Sequence, residues 1–145
     1  MNPSKQQALL DQFKLRHTAC RLEVVAFFLS KNFAIAHIDL EHAFKKQFDR
    51  VTLYRTLKTF LDKGIIHKVL DDEGTPKYAL CPSACTHLQH HHHDHIHFKC
   101  NVCGQTTCME DIFIPEINLP VGFKVLEKNI LMAGICPQCS ENKML

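Results

Sequence analysis

The chain has 145 residues, 46% of them hydrophobic and 22% charged, with a formal net charge of +2. That length makes one ordinary domain or two small ones, and the composition is that of a globular protein rather than a disordered or fibrous one. No apolar run approaches the roughly 20 residues of a membrane span, and the opening MNPSKQQALLDQF lacks the apolar core of a signal peptide, so a cytosolic chain with reduced thiols is expected.

Residues 4–15 predict a first helix with Ala8, Leu9, Leu10 and Phe13 on its apolar side. Thr18 is a good N-cap for a second, about 19–30, burying Leu22, Val25, Ala26 and Leu29. A short third helix, about 37–47, turns Leu40, Ala43 and Phe44 inward. The fourth starts after Asp49, another N-cap, and stops at Gly64, a natural residue for the position just past a helix. Its Leu53, Leu57, Phe60 and Leu61 fall on one helical face. Val51, Arg55, Lys58 and Thr59 occupy the opposite one, with Thr52 and Tyr54 on the flanks.

After Gly64 the period becomes extended: a strand over 65–70, a turn at Asp71-Asp72-Glu73-Gly74, and a return strand over 75–80. Helices followed by a hairpin in this order make a winged helix-turn-helix, and the helix before the wing is then the one that enters the DNA major groove. Arg50, Thr52, Tyr54, Arg55 and Lys58 are the residues placed at phosphates and base edges. A merely solvated basic face is the plainer alternative. Charge is consistent with the first reading, since residues 1–80 carry 13 Lys+Arg against 9 Asp+Glu and residues 81–145 carry 4 against 6.

The predicted winged helix spans 1–81, a hinge 82–86, and a second domain 87–145. Strands are expected over 95–99, 105–110 and 123–133, and the two prolines within 112–120 leave room for at most a short helix. A tail is expected beyond Ser140. So small a sheet cannot build a large core, and it calls for a metal and a partner subunit.

The metal is written into the cysteines. Cys100-x-x-Cys103 and Cys136-x-x-Cys139 form two pairs separated by 32 residues. In a reducing compartment two such pairs are the usual closed four-thiolate zinc site, one zinc per chain; two disulfides are the alternative. His95-x-His97 on a strand sends both imidazoles to one face, where they can share a second metal. Seven of the eleven histidines lie between Cys81 and Cys108. The run His90 to His93, with Cys81, Cys85 and His87 nearby, extends the donor set. His17, His42 and His67 are expected to be ordinary surface or satisfied histidines. Cys108 is either a further ligand or a buried apolar cysteine.

Taken in register, these motifs resemble the ferric uptake regulator family of metal-dependent repressors over nearly the whole chain. The matching residues are Leu15-Arg16-x-Thr18-x-x-Arg21, Val51-Thr52-Leu53-Tyr54-Arg55-x-Leu57, His95-x-His97-x-x-Cys100-x-x-Cys103-Gly104 and Cys136-x-x-Cys139. The resemblance implies an α+β protein, with an N-terminal winged helix and a small C-terminal α/β dimerisation domain. It also implies structural zinc on the four cysteines, a homodimer, and a palindromic site on double-stranded DNA. A hinge site around the HxH pair would hold the sensed divalent metal and set the angle of the DNA-binding domains.

This chain departs from the iron-type pattern. Cys108 stands where a carboxylate is placed, Ala79 where the wing carries an acid, Ala34 near a histidine position that His37 would have to fill, and Lys128 at another histidine. Sulfur for oxygen favours zinc over iron or manganese. The regulatory ligands are therefore drawn from His95, His97, Cys108, Cys85, Cys81, His93 and His87, with Asp71 or Asp72 from the wing. None of this requires an enzyme. Rival readings are a thiol or peroxide sensor of the same fold using Cys108, Cys81 and Cys85, and a histidine-rich metal buffer or chaperone. A zinc hydrolase would need Asp94 or Glu110 as base.

Overall fold

The computed structural model describes residues 4–80, 95–126 and 128–142. Helix α1 (Lys5–Gln12) opens with Ser4, whose hydroxyl accepts from the Gln7 N–H while the Gln7 side chain accepts from the Ser4 N–H. Helix α2 (Ala19–Ser30) is capped by Thr18, α3 (His37–Ala43) follows, and α4 (Arg50–Lys63) is capped by Asp49. Helix α4 ends at Gly64, whose φ of +81° is the left-handed conformation that favours glycine.

These helices pack around Leu10, Val24, Val25, Leu40, Leu53 and Phe60, each essentially solvent-free. The buried stripe of α2 is Cys20, Val24, Val25 and Phe28, with Leu29 44% exposed. The expected stripe through Leu29 is thus rotated. Helix α2 is apolar nearly all round, so its sequence marks no unique inner face. On α4, Thr56 joins Leu53, Leu57 and Phe60 inside. Its hydroxyl donates to the Thr52 carbonyl and meets Cys20 Sγ at 3.3 Å, which satisfies a polar group in the core. Ala8 and Ala43, expected inside, are exposed.

Strands β2 (Ile66–Val69) and β3 (Lys77–Leu80) form the predicted hairpin. A two-residue β1 (Ile35–Ala36), which the sequence did not announce, pairs with β3 and gives the order β1-β3-β2. The second sheet has β4 (His95–Cys100) between antiparallel β5 (Thr106–Phe113) and parallel β6 (Ile130–Gly134). A long strand from Phe123 was expected. Instead Pro120 and Gly122 (φ +99°) make a turn closed by the Phe123 N–H on the Pro120 carbonyl, and the strand starts only at Ile130. Helix α5 (Pro137–Asn142) takes up part of the expected tail.

The wing turn leans on the second sheet. Lys77 lies 2.8 Å from Asp71 and donates to the Gly104 carbonyl, and Asp71 also accepts from the Thr106 hydroxyl. Lys99 is paired with Asp72 and with Glu73. Across the same junction the Ala34 N–H donates to the Thr106 carbonyl at 2.7 Å. No helix among the described residues is long and apolar enough to cross a membrane.

Candidate metal centres and DNA-facing helix

Parallel pairing of β4 with β6 assembles the four cysteines. The register runs from Ile96↔Ile130 to Cys100↔Gly134, so the two strands end side by side. Cys100 closes β4 and Cys136 follows β6 by two residues. The chain then turns back after each: Gly104 (φ +77°) shapes the first turn, and α5 carries Cys139 round in the second. Cys100, Cys103, Cys136 and Cys139 bring their sulfurs within 4.8 Å of one another.

The backbone is arranged for thiolate. Cys100 Sγ accepts from the N–H groups of Val102, Cys103 and Cys136 at 3.4–3.5 Å. The Cys103 and Cys136 N–H groups pull the Cys100 thiol down to about 6, while the Cys136 sulfur and burial push Cys139 up to about 12. Once one thiolate forms, its neighbours resist ionising, and a dication is what relieves that repulsion. A closed set of four sulfurs suits zinc.

A second cluster spans the two sheets. His67 of β2, His97 of β4 and Cys108 of β5 bring their ligand atoms within 4.8 Å of one another. Pairing of β4 with β5 sets His97 opposite Cys108, and His67 Nε2 lies 3.3 Å from Cys108 Sγ. His67 and His97 are 3% and 4% exposed. Two imidazoles and a thiol make a donor set of intermediate softness, suited to zinc.

Among the anticipated regulatory ligands, His97 and Cys108 are therefore brought together. Cys81, Cys85, His87 and His93 lie outside the described residues, as does the hinge at 82–86, and the side chain of His95 is not described. Asp71 and Asp72 are engaged with Lys77, Thr106 and Lys99 instead. His37 sits against Glu41 and is not a member of the cluster. His67 is the residue that sequence reasoning passed over. It shares a strand face with Val69 and is buried like it, and a histidine at an apolar position of a wing strand was the available signal.

On α4, Val51 and Tyr54 are 57% and 60% exposed, and Arg50, Arg55 and Lys58 are exposed as well. The Asp49 carboxylate accepts from the Thr52 N–H at 2.6 Å and fixes the start of the helix. Between α3, α4 and the wing lies a cleft of about 500 Å³ whose lining includes Arg50, Tyr54, Lys58, Lys68 and Tyr78. Cations along one helix face and across to the wing are the footprint of a nucleic-acid surface.

The sequence profile described as "Ferric uptake regulator family" matches residues 12–129. The chain belongs to that family. It is 29% identical over 146 residues to the zinc uptake regulation protein of Escherichia coli, covering 95% of this chain and 81% of that one. Among solved structures, a zinc uptake regulator complexed with zinc and DNA superposes with a TM-score of 0.62 at 28% identity, covering 99% of this chain and all of that one. The Helicobacter pylori ferric uptake regulator shares the fold, with a TM-score of 0.59 at 15% identity and 97% coverage of each chain.

Proposed function

We propose that this chain is a metal-responsive, DNA-binding transcriptional repressor whose sensed metal is zinc. The division is a winged helix over 1–81, a hinge over 82–86, and a metal-binding dimerisation domain over 87–145. Cys100, Cys103, Cys136 and Cys139 hold a structural zinc, one per chain. His67, His97 and Cys108 hold the regulatory ion, joined by donors from the set His95, His93, His87, Cys85 and Cys81.

The observation that carries the reading is the cluster of His67, His97 and Cys108. One ligand belongs to the wing and two to the second sheet, so all three meet only when wing and sheet hold one relative orientation. A ligand shifts a conformational equilibrium only by its differential affinity for the two states. A site split across the junction has that difference built in. Arg50, Thr52, Tyr54, Arg55 and Lys58 then meet a palindromic operator on double-stranded DNA. A second copy of the chain is supported by apolar residues left exposed along the second domain, among them Ile112, Ile117, Val121, Phe123, Leu126 and Met132. The reading places the protein in the cytosol and gives it no bond-breaking step.

The test joins metal content to DNA binding on one reduced, anaerobic sample. Elemental analysis before and after mild chelation should find one zinc retained per chain. Zn(II), Fe(II) and Mn(II) are then titrated into a DNA-binding assay at fixed salt. Zinc should restore binding at the lowest free concentration. Better restoration by iron or manganese would overturn the zinc assignment, and release by oxidant alone would favour thiol sensing.

A further inference from the structure

Glu41 is not among the residues expected at the DNA, yet it sits behind one that is, Arg50. It lies on α3 one turn after His37, so the two share a face. A single carboxylate oxygen, Oε1, meets His37 Nδ1 at 2.8 Å and Arg50 Nε at 3.1 Å. The carboxylate and imidazole side chains are each 23% exposed, whereas the Arg50 side chain is 81% exposed. The His37 ring stands edge-on to Tyr54, with centroids 6.0 Å apart. Arg50 is the first residue of α4, at the end of a recognition helix that reaches base edges.

We propose that Glu41, itself held by His37, is a positioning residue that aims the guanidinium of Arg50 at a guanine in each half-site. This rests on the DNA-binding reading above. Arginine recognises guanine O6 and N7 with two parallel N–H groups of a planar fork. With Nε turned to Glu41, the outward edge of that fork is the Nη pair. An exposed arginine with no backing would surrender its rotamer freedom on docking, and the carboxylate removes part of that loss beforehand. An exposed pair of this kind contributes little to stability; what it supplies here is the direction of the fork.

The experiment selects binding sites from double-stranded DNA carrying a random stretch, using full-length protein with Zn(II). Wild type is compared with Glu41→Gln, Arg50→Lys, His37→Ala and His37→Asn. Arg50→Lys keeps the charge and changes only an exposed side chain, so it reports even where a Glu41 variant folds poorly. The expected result is one guanine per half-site that wild type prefers by on the order of tenfold. Glu41→Gln and Arg50→Lys lose that preference while the rest of the motif stays. His37→Ala weakens it, and His37→Asn, which keeps a donor, restores it. If wild type enriches a motif and the variants enrich the same motif with unchanged base frequencies, the positioning role is overturned and the DNA-binding reading stands. Uniformly tighter binding of Glu41→Gln to all sequences also overturns it, because Glu41 would then be competing with phosphates for Arg50. If wild type enriches no motif, the DNA-binding reading fails and takes this proposal with it.

Discussion

The sharpest consequence of a metal site divided between wing and sheet concerns His67. Replacing it with alanine removes the only wing ligand found among the described residues, and leaves His97 and Cys108 together on the second sheet. Those two can still take up zinc, but weakly, and the occupied site no longer reports where the wing is. Coupling between two sites in such systems is typically 1–3 kcal/mol, about a 5- to 150-fold change in affinity. Wild type should therefore show a zinc-dependent gain in DNA affinity in that range, and His67→Ala a gain near onefold. Linkage supplies an internal check, because DNA must raise zinc affinity by the same factor that zinc raises DNA affinity. The assay is fluorescence anisotropy of labelled DNA at several fixed free zinc concentrations, paired with zinc titration in the presence and absence of DNA. His67 is buried, so the thermal stability of metal-free wild type and variant must be compared to separate a lost ligand from a cavity. A His67→Ala protein that folds normally and keeps the full zinc response would refute the assignment.

Other outcomes test the frame around the sites. Phe60→Ala empties a fully buried position in the helical core, and urea unfolding should show a loss of about 3–5 kcal/mol, a large part of the 5–15 kcal/mol that typical domains possess. Cys100→Ser removes the sulfur that receives three backbone N–H groups; elemental analysis should find the tightly held zinc lost, with dimerisation weakened in sedimentation. The wing turn predicts an acid-labile junction. Burial raises the Asp71 carboxyl, but Lys77 and the Glu73 N–H outweigh it and leave it below its usual value. Lys99 likewise holds Asp72 and Glu73 down. Carboxyls lowered in the folded state stabilise above the unfolded value of about 4 and lose that contribution as pH falls through the folded value. Protection factors of the amides at 77–80, taken relative to intrinsic exchange at each pH, should thus fall on acidification, and Asp71→Asn should show lower protection at neutral pH with a flatter acid limb.

What could be read from sequence was mostly local. Thr18, Asp49 and Gly64 mark helix ends because a cap is an interaction within a few residues of itself, and the structure uses all three as caps. The hairpin was legible for the same reason. The inner face of α2 was not, because an apolar surface all round is resolved only by what packs against it. The start of β6 was hidden too. Residues 123–126 have strand-like composition, but a strand needs a partner, and only 130–134 align with β4. The four cysteines were legible from spacing alone. His67 was not, because its role depends on a contact 41 residues away with Cys108, and nothing in its immediate neighbours signals that distance.

Cys108 then decides which metal the junction favours. Cys108 pairs with His97 in the β4–β5 ladder and its thiol is 3.3 Å from His67 Nε2, so the softest donor in the cluster lies within 4.8 Å of a ligand atom of each imidazole. Thiolate with imidazole suits zinc, and replacing sulfur with a carboxylate oxygen shifts a site toward iron and manganese. Cys108→Asp keeps a negatively charged donor of similar reach and changes its hardness. In metal-dependent DNA binding, the variant should need more free zinc than wild type and less free Fe(II) or Mn(II), so that the ratio of half-saturating concentrations moves toward the harder ions. Cys108→Ser, which offers a neutral oxygen, should weaken all three metals together. If Cys108→Asp leaves the zinc requirement and the metal order unchanged, Cys108 is a packing residue and the zinc preference has to come from the other donors. If Cys108→Asp instead shifts all three metals in parallel, as Cys108→Ser does, the site does not discriminate by donor hardness, and the argument from donor softness fails.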